Sequence, residues 1–172
     1  MIKLIKMLFI FVGFLGFISN SFAADVTMRI SIQLPMKSHL GQNLLLFKND
    51  VEKKSNGEIE VQIYDSAQLY KDKEVPAAVG SGSIESGVAS LTRYVGDIPA
   101  VDLFYQPFLL NSEEKVRKAV AKGSSIRGPI DKAIEGTGST VLWWQAYGSA
   151  IMLSKGKAIK NPSDMKGKKV RV

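Results

Sequence analysis

Cysteine is absent from the 172 residues, and His39 is the only histidine. These two counts remove thiol nucleophiles, disulfides, cysteine-bearing metal sites and any multi-histidine zinc site from within the chain. A serine hydrolase would have to build its triad on His39, and no serine stands in a Gly-x-Ser-x-Gly elbow. Neither Gly-x-x-x-x-Gly-Lys nor Gly-x-Gly-x-x-Gly occurs, so no phosphate-cradling loop is expected. What remains is recognition chemistry. The formal charge is +7, from 23 basic and 16 acidic residues, and it suits anionic ligands, nucleic acid or a membrane surface equally. The basic residues are scattered without aromatic interleaving, which argues against nucleic acid as a partner. No cofactor and no metal are expected.

The elements that must position such residues begin after residue 23. Lys3 and Lys6 precede an apolar run from Met7 to Ile18, and Ser21-Phe22-Ala23 forms a small-x-small cleavage site. A spanning helix needs about 20 apolar residues, so residues 1–23 are expected to be a cleaved export signal. The mature chain then carries about +5, having lost Lys3 and Lys6.

Val26 to Ile32 alternates like a strand, and Pro35 ends it. Leu40, Leu44, Phe47 and Val51 then share one face of a helix from Ser38 to Lys54, with Ser38 as cap and Asn56-Gly57 as stop. Glu58 to Tyr64 returns to period two. A shorter helix is expected from about Asp72 to Val79, then a buried strand from Ile84 to Ala89. An Asn111/Glu114 capping box would open a helix to Lys122, and a helix broken at Gly128-Pro129 would follow from Ser125 to Glu135. Thr140 to Tyr147, Ile151 to Ser154 and Lys169 to Val172 read as further strands. The alternation predicts an α/β fold with a mainly parallel sheet. Val170-Arg171-Val172 stops inside an apparent strand, so a chain cut short is expected.

Four stretches resemble one family. They are Lys54-Ser55-Asn56-Gly57-Glu58-Ile59-Glu60-Val61, Tyr64-Asp65-Ser66-Ala67-Gln68-Leu69, Gln106-Pro107-Phe108-Leu109-Leu110, and Ile159 to Val172 with its Asp164-Met165-Lys166-Gly167 turn and Lys169-Val170-Arg171 end. The order and spacing resemble the DctP-type solute-binding subunit of tripartite ATP-independent periplasmic (TRAP) transporters. That resemblance implies the periplasmic solute-binding fold, with two α/β lobes closing on a carboxylated ligand. Residues 24–145 would be the first lobe, ending in a crossing strand at about Thr140 to Tyr147, and residues 146–172 the start of the second. It also implies a periplasmic, monomeric receptor without enzymatic activity, whose partners are an organic acid and ion-gradient-driven membrane subunits. An exported hydrolase, or a receptor for an ATP-driven importer, is the alternative.

The resemblance also assigns roles. Arg171 matches the arginine that grips the ligand carboxylate, a task suited to a planar fork of donors; without the motif it reads as a solvated arginine among lysines. The family's second arginine falls on Ile151, so a monocarboxylate is favoured over a dicarboxylate. Gln33 is either a ligand contact or a turn cap before Pro35. Asp72 matches a cleft position and reads equally as the N-cap of the following helix. Ala89 and Ser90 stand at a strand end, where open α/β sheets present ligands, and Arg93 just beyond either assists an anion or makes a surface ion pair. Ser149 is a hydroxyl partner or a turn residue. Tyr147 and Trp144 line the cleft or join the core, while Phe108 is expected to pack and His39 to cap or face solvent.

Overall fold

A computed structural model describes residues 24–148 and 151–170. The expected export signal therefore lies outside the described residues, as do Ser149 and Arg171. Three parallel strands form one sheet in the order β2-β1-β3: β1 at Val26–Ser31, β2 at Ile59–Tyr64 and β3 at Ser86–Gly87. Ile30 sits between Ile63 on one side and Ser86 on the other. The central position explains the burial of β1. Its alternation fades where Ile30, Ser31 and Ile32 are all fully buried, as expected for a strand covered on both faces. The one polar member of that trio is satisfied, since Ser31 Oγ donates to the Tyr70 carbonyl and accepts from the Tyr70 amide, both at 3.2 Å.

Helix α1 (His39–Lys54) follows the sequence closely: Ser38 caps it by accepting from the Gly41 amide, and Asn56 and Gly57 end it with positive φ. Leu40 and Leu44 are buried against Ile30, Ile32 and Val61, with Phe47 and Val51 beside them. Two of its polar side chains guard the outer edge of β2. Glu52 Oε1 accepts from the Val61 amide at 2.9 Å, and Lys48 Nζ donates to the Val61 carbonyl at 2.5 Å and to Glu52. The bond from Lys48, then that from the Val61 amide, holds the Glu52 carboxyl below its usual range. An edge strand with both groups occupied offers no pairing site there.

Several expected boundaries move. Helix α2 spans Val75–Gly80, not Asp72 to Val79, with Pro76 in its first turn where no helical amide is lost. The third strand shortens to the two residues of β3, where Gly87 lies so close to Val75 that a Cβ would collide with it. Helix α3 is Glu113–Val120, capped by Ser112 accepting from the Lys115 amide, so the cap lies one residue beyond Asn111. Helix α4, Arg127–Glu135, is continuous, because Gly128 and Pro129 fall in its first turn instead of breaking its interior. Two 3-10 segments, Leu91–Tyr94 and Pro99–Tyr105, join β3 to α3.

Thr140 to Tyr147 and Ile151 to Ser154 are not strands, and neither are residues 169–170. Among the described residues none of these runs has a ladder partner, and strand-forming composition alone does not create one. Trp143 instead packs on Phe47 in the sheet–α1 core, with centroids 5.0 Å apart, and Trp144 packs on Phe104 in a second core of Ile98, Val101, Ile130 and Ile134. Phe108, expected to pack, is 90% exposed, on a backbone in the left-handed region at φ 64.

Arg29 on β1 grips Glu85 through Nε (2.8 Å) and a terminal nitrogen (2.7 Å), while its own amide also donates to the carboxylate. Those bonds, the side-chain one foremost, hold the Glu85 carboxyl at about 2. The sign follows: a carboxyl depressed in the folded state adds stability above its unfolded pKa, and that stability is lost as pH falls from about 4.5 toward 2. Both partners are over a third exposed, so water and salt shrink the effect well below the full shift. E85Q is expected to flatten the fall of the urea midpoint over that window. Equal acid limbs in the two proteins would contradict the linkage.

Candidate ligand-binding site

The parallel strands all end on one side, and the chain turns there bring four predicted residues together. Gln33 follows β1, Asp72 lies in the connection from β2 to α2, and Ser90 and Arg93 follow β3. Gln33 Nε2 donates to Ser90 Oγ at 3.3 Å, the Ser90 amide donates to Asp72 Oδ1 at 2.9 Å, and Arg93 Nε donates to Asp72 Oδ2 at 2.5 Å. Of the two readings held for each of Asp72 and Gln33, these bonds bear on the capping one. Asp72 is not a helix cap, because the cap position belongs to Glu74 and the Asp72 carboxylate is committed to partners 18 and 21 residues away. Gln33 does not cap its turn with its amide nitrogen, which reaches across to Ser90.

The Asp72 side chain is 7% exposed and that of Arg93 is 44% exposed. One carboxylate thus holds the guanidinium by its inner nitrogen. Among the described residues the two terminal nitrogens of Arg93 meet no acceptor, and the side chain is partly open to solvent. A guanidinium fixed in this way presents donors to an anion at the strand ends without reorganising. Ala89, half-buried between Val88 and Ser90, has no polar side chain to add. Two open grooves of about 340 and 450 Å³ lie elsewhere and include none of these residues.

Tyr147 stands apart from this network. It is exposed, with its ring edge-on to His39 at 6.1 Å, near the N-terminus of α1. Sequence reasoning did not pair these two, since they are far apart in the chain and neither sits in a motif. Trp144 is core, donating its indole N–H to Asp131 at 2.7 Å.

The turn that leads toward Arg171 explains the most specific motif. Asp164 Oδ2 accepts from the amides of Lys160 and Asn161, both at 2.9 Å, and these bonds, that from Lys160 first, hold its carboxyl below the usual range. A 3-10 turn at Pro162–Met165 follows, and Gly167 reverses the chain at φ 75.

The profile of the DctP family, the bacterial extracellular solute-binding proteins of family 7, matches residues 30–172. The chain belongs to the DctP family. A solute-binding protein of Verminephrobacter eiseniae is 31% identical over 87% of this chain and 44% of its own length. The C4-dicarboxylate-binding periplasmic protein DctP of Rhodobacter capsulatus is 29% identical over 87% of this chain and 44% of its own. The chain thus spans under half the length of these DctP-family relatives. In fold it is similar to a Pseudomonas aeruginosa TRAP periplasmic solute-binding protein with bound L-malate, at TM-score 0.62 and 19% identity over 69% of this chain and 40% of that one. A Bordetella pertussis extracytoplasmic solute receptor binding pyroglutamic acid gives TM-score 0.61 and 23% identity over 65% and 36%. The α/β arrangement is therefore the fold of DctP-family solute-binding proteins, whose members are receptors and not enzymes.

Proposed function

We propose that this chain supplies the first lobe of a periplasmic receptor, residues 24–145, and the start of the second. The receptor captures a small organic acid and delivers it to ion-gradient-driven TRAP membrane subunits. One observation carries the reading. In a DctP-family chain, an arginine at the strand ends is held by a buried carboxylate while its terminal nitrogens meet no acceptor among the described residues. Arg171 grips the ligand carboxylate from the second lobe, while Arg93, Gln33 and Ser90 receive its polar groups. Ser149 and Tyr147 flank that ligand as the chain crosses between the lobes. The receptor works as a monomer after its export signal is cleaved.

Related structures carry acids of both kinds: succinate and L-malate in two, pyroglutamate, galacturonate and erythronate in others. Ile151 has no charge to offer a second carboxylate, so a hydroxy, keto or sugar monocarboxylate is the preferred ligand.

A thermal-shift screen of the intact receptor against these acids tests the reading. Ligand at 100 times its Kd adds about 2.7 kcal/mol of stability by mass action. The monocarboxylates are expected to raise Tm most. A larger shift with succinate or malate would reject the monocarboxylate preference, and no shift with any acid would reject organic-acid capture.

A further inference from the structure

Arg127 carries a charge and is nine-tenths buried, away from the ligand-site network. Its Nε donates to Asp131 Oδ2 at 2.8 Å and a terminal nitrogen donates to the Val120 carbonyl at the end of α3 at 3.0 Å. Asp131 Oδ1 accepts the Trp144 indole N–H, and the guanidinium carbon stands 5.5 Å from the centre of that indole. One carboxylate on α4 therefore joins a cation on its own helix to a ring on residues 140–148.

That run makes no backbone–backbone hydrogen bond among the described residues. Its path is set by side chains: Trp143 on Phe47, Trp144 on Asp131, Gln145 accepting from Asn43 at 2.8 Å, and Tyr147 against His39. Apolar contacts allow a ring to slide, whereas a part-buried, charge-assisted N–H···carboxylate bond is directional. Burying an ion pair adds little net stability, and its best attested use is to select one arrangement over its neighbours.

We infer that Arg127 and Asp131 are positioning residues that act through the Trp144 indole to fix where Tyr147 lies beside His39. Because α1 begins after the C-terminal end of β1, this contact is on the side of the sheet that carries Gln33. The consequence for a bound acid rests on the receptor reading above. The positioning itself can be measured without ligand, so the two can fail separately.

His39 is the sole histidine, so its ring protons give one set of signals in a proton NMR spectrum. The protein should show a nuclear Overhauser effect between the His39 and Tyr147 rings and another between the Ile30 and Ile63 methyl groups, which are register partners on β1 and β2 within one apolar core. D131N, which removes the charge, and W144F, which removes the indole donor together with part of the ring, are expected to abolish the first signal and preserve the second. If both variants keep the His39–Tyr147 signal at full intensity, the network does not position Tyr147. If both lose the Ile30–Ile63 signal as well, it is a general fold stabiliser and the inference is also overturned.

Discussion

R93A is expected to lower the stability of the fold by about 2–3 kcal/mol, and adding D72N is expected to restore most of that loss. The cost arises at Asp72, whose side chain is 7% exposed. Without the guanidinium its carboxylate keeps only the Ser90 amide, and a buried charge short of partners is expensive. D72N removes the charge yet leaves an oxygen for the Ser90 amide, so the double variant should exceed R93A alone. Urea unfolding of the four proteins in this cycle gives the answer. A double variant less stable than R93A would mean that Asp72 needs its charge for something other than Arg93.

R171A should weaken organic-acid binding to the intact receptor by about 2–5 kcal/mol, the cost of stranding one partner of a desolvated charge pair. Arg171 lies outside the described residues, so the expectation rests on the family motif and on the Asp164–Gly167 turn that precedes it. R171K keeps the charge and loses the two-pronged donor fork, so it should fall between wild type and R171A. Calorimetry showing less than a tenfold loss for R171A would remove the residue from the carboxylate-gripping role.

The parts legible in the sequence are those governed by local spacing. α1 could be read from Leu40, Leu44, Phe47 and Val51 together with its Ser38 cap and Asn56-Gly57 stop, because each involves residues within a turn or two. β2 was legible for the same reason. Asp72 shows the limit. Local spacing makes it a cap, while its actual partners come from the far side of β3, and no period in the sequence encodes a pairing over 18 or 21 residues. Thr140 to Tyr147 has strand composition, but a strand exists only beside another, and the described residues offer none. Phe108 was misread because an apolar run does not by itself bury each of its side chains, and this one is exposed on a left-handed backbone. Gln33, Ser90 and Arg93 were singled out from the sequence one by one, while the hydrogen-bonded chain that joins them to Asp72 was not.

The two tryptophans are adjacent in sequence and enter different apolar clusters, Trp143 the one beneath α1 and Trp144 the one around α4. A single dipeptide thereby adds a joint between two bodies of packed side chains. Removing both indoles should broaden the thermal transition and pull apart the calorimetric and van't Hoff enthalpies, since all-or-none unfolding depends on such shared joints.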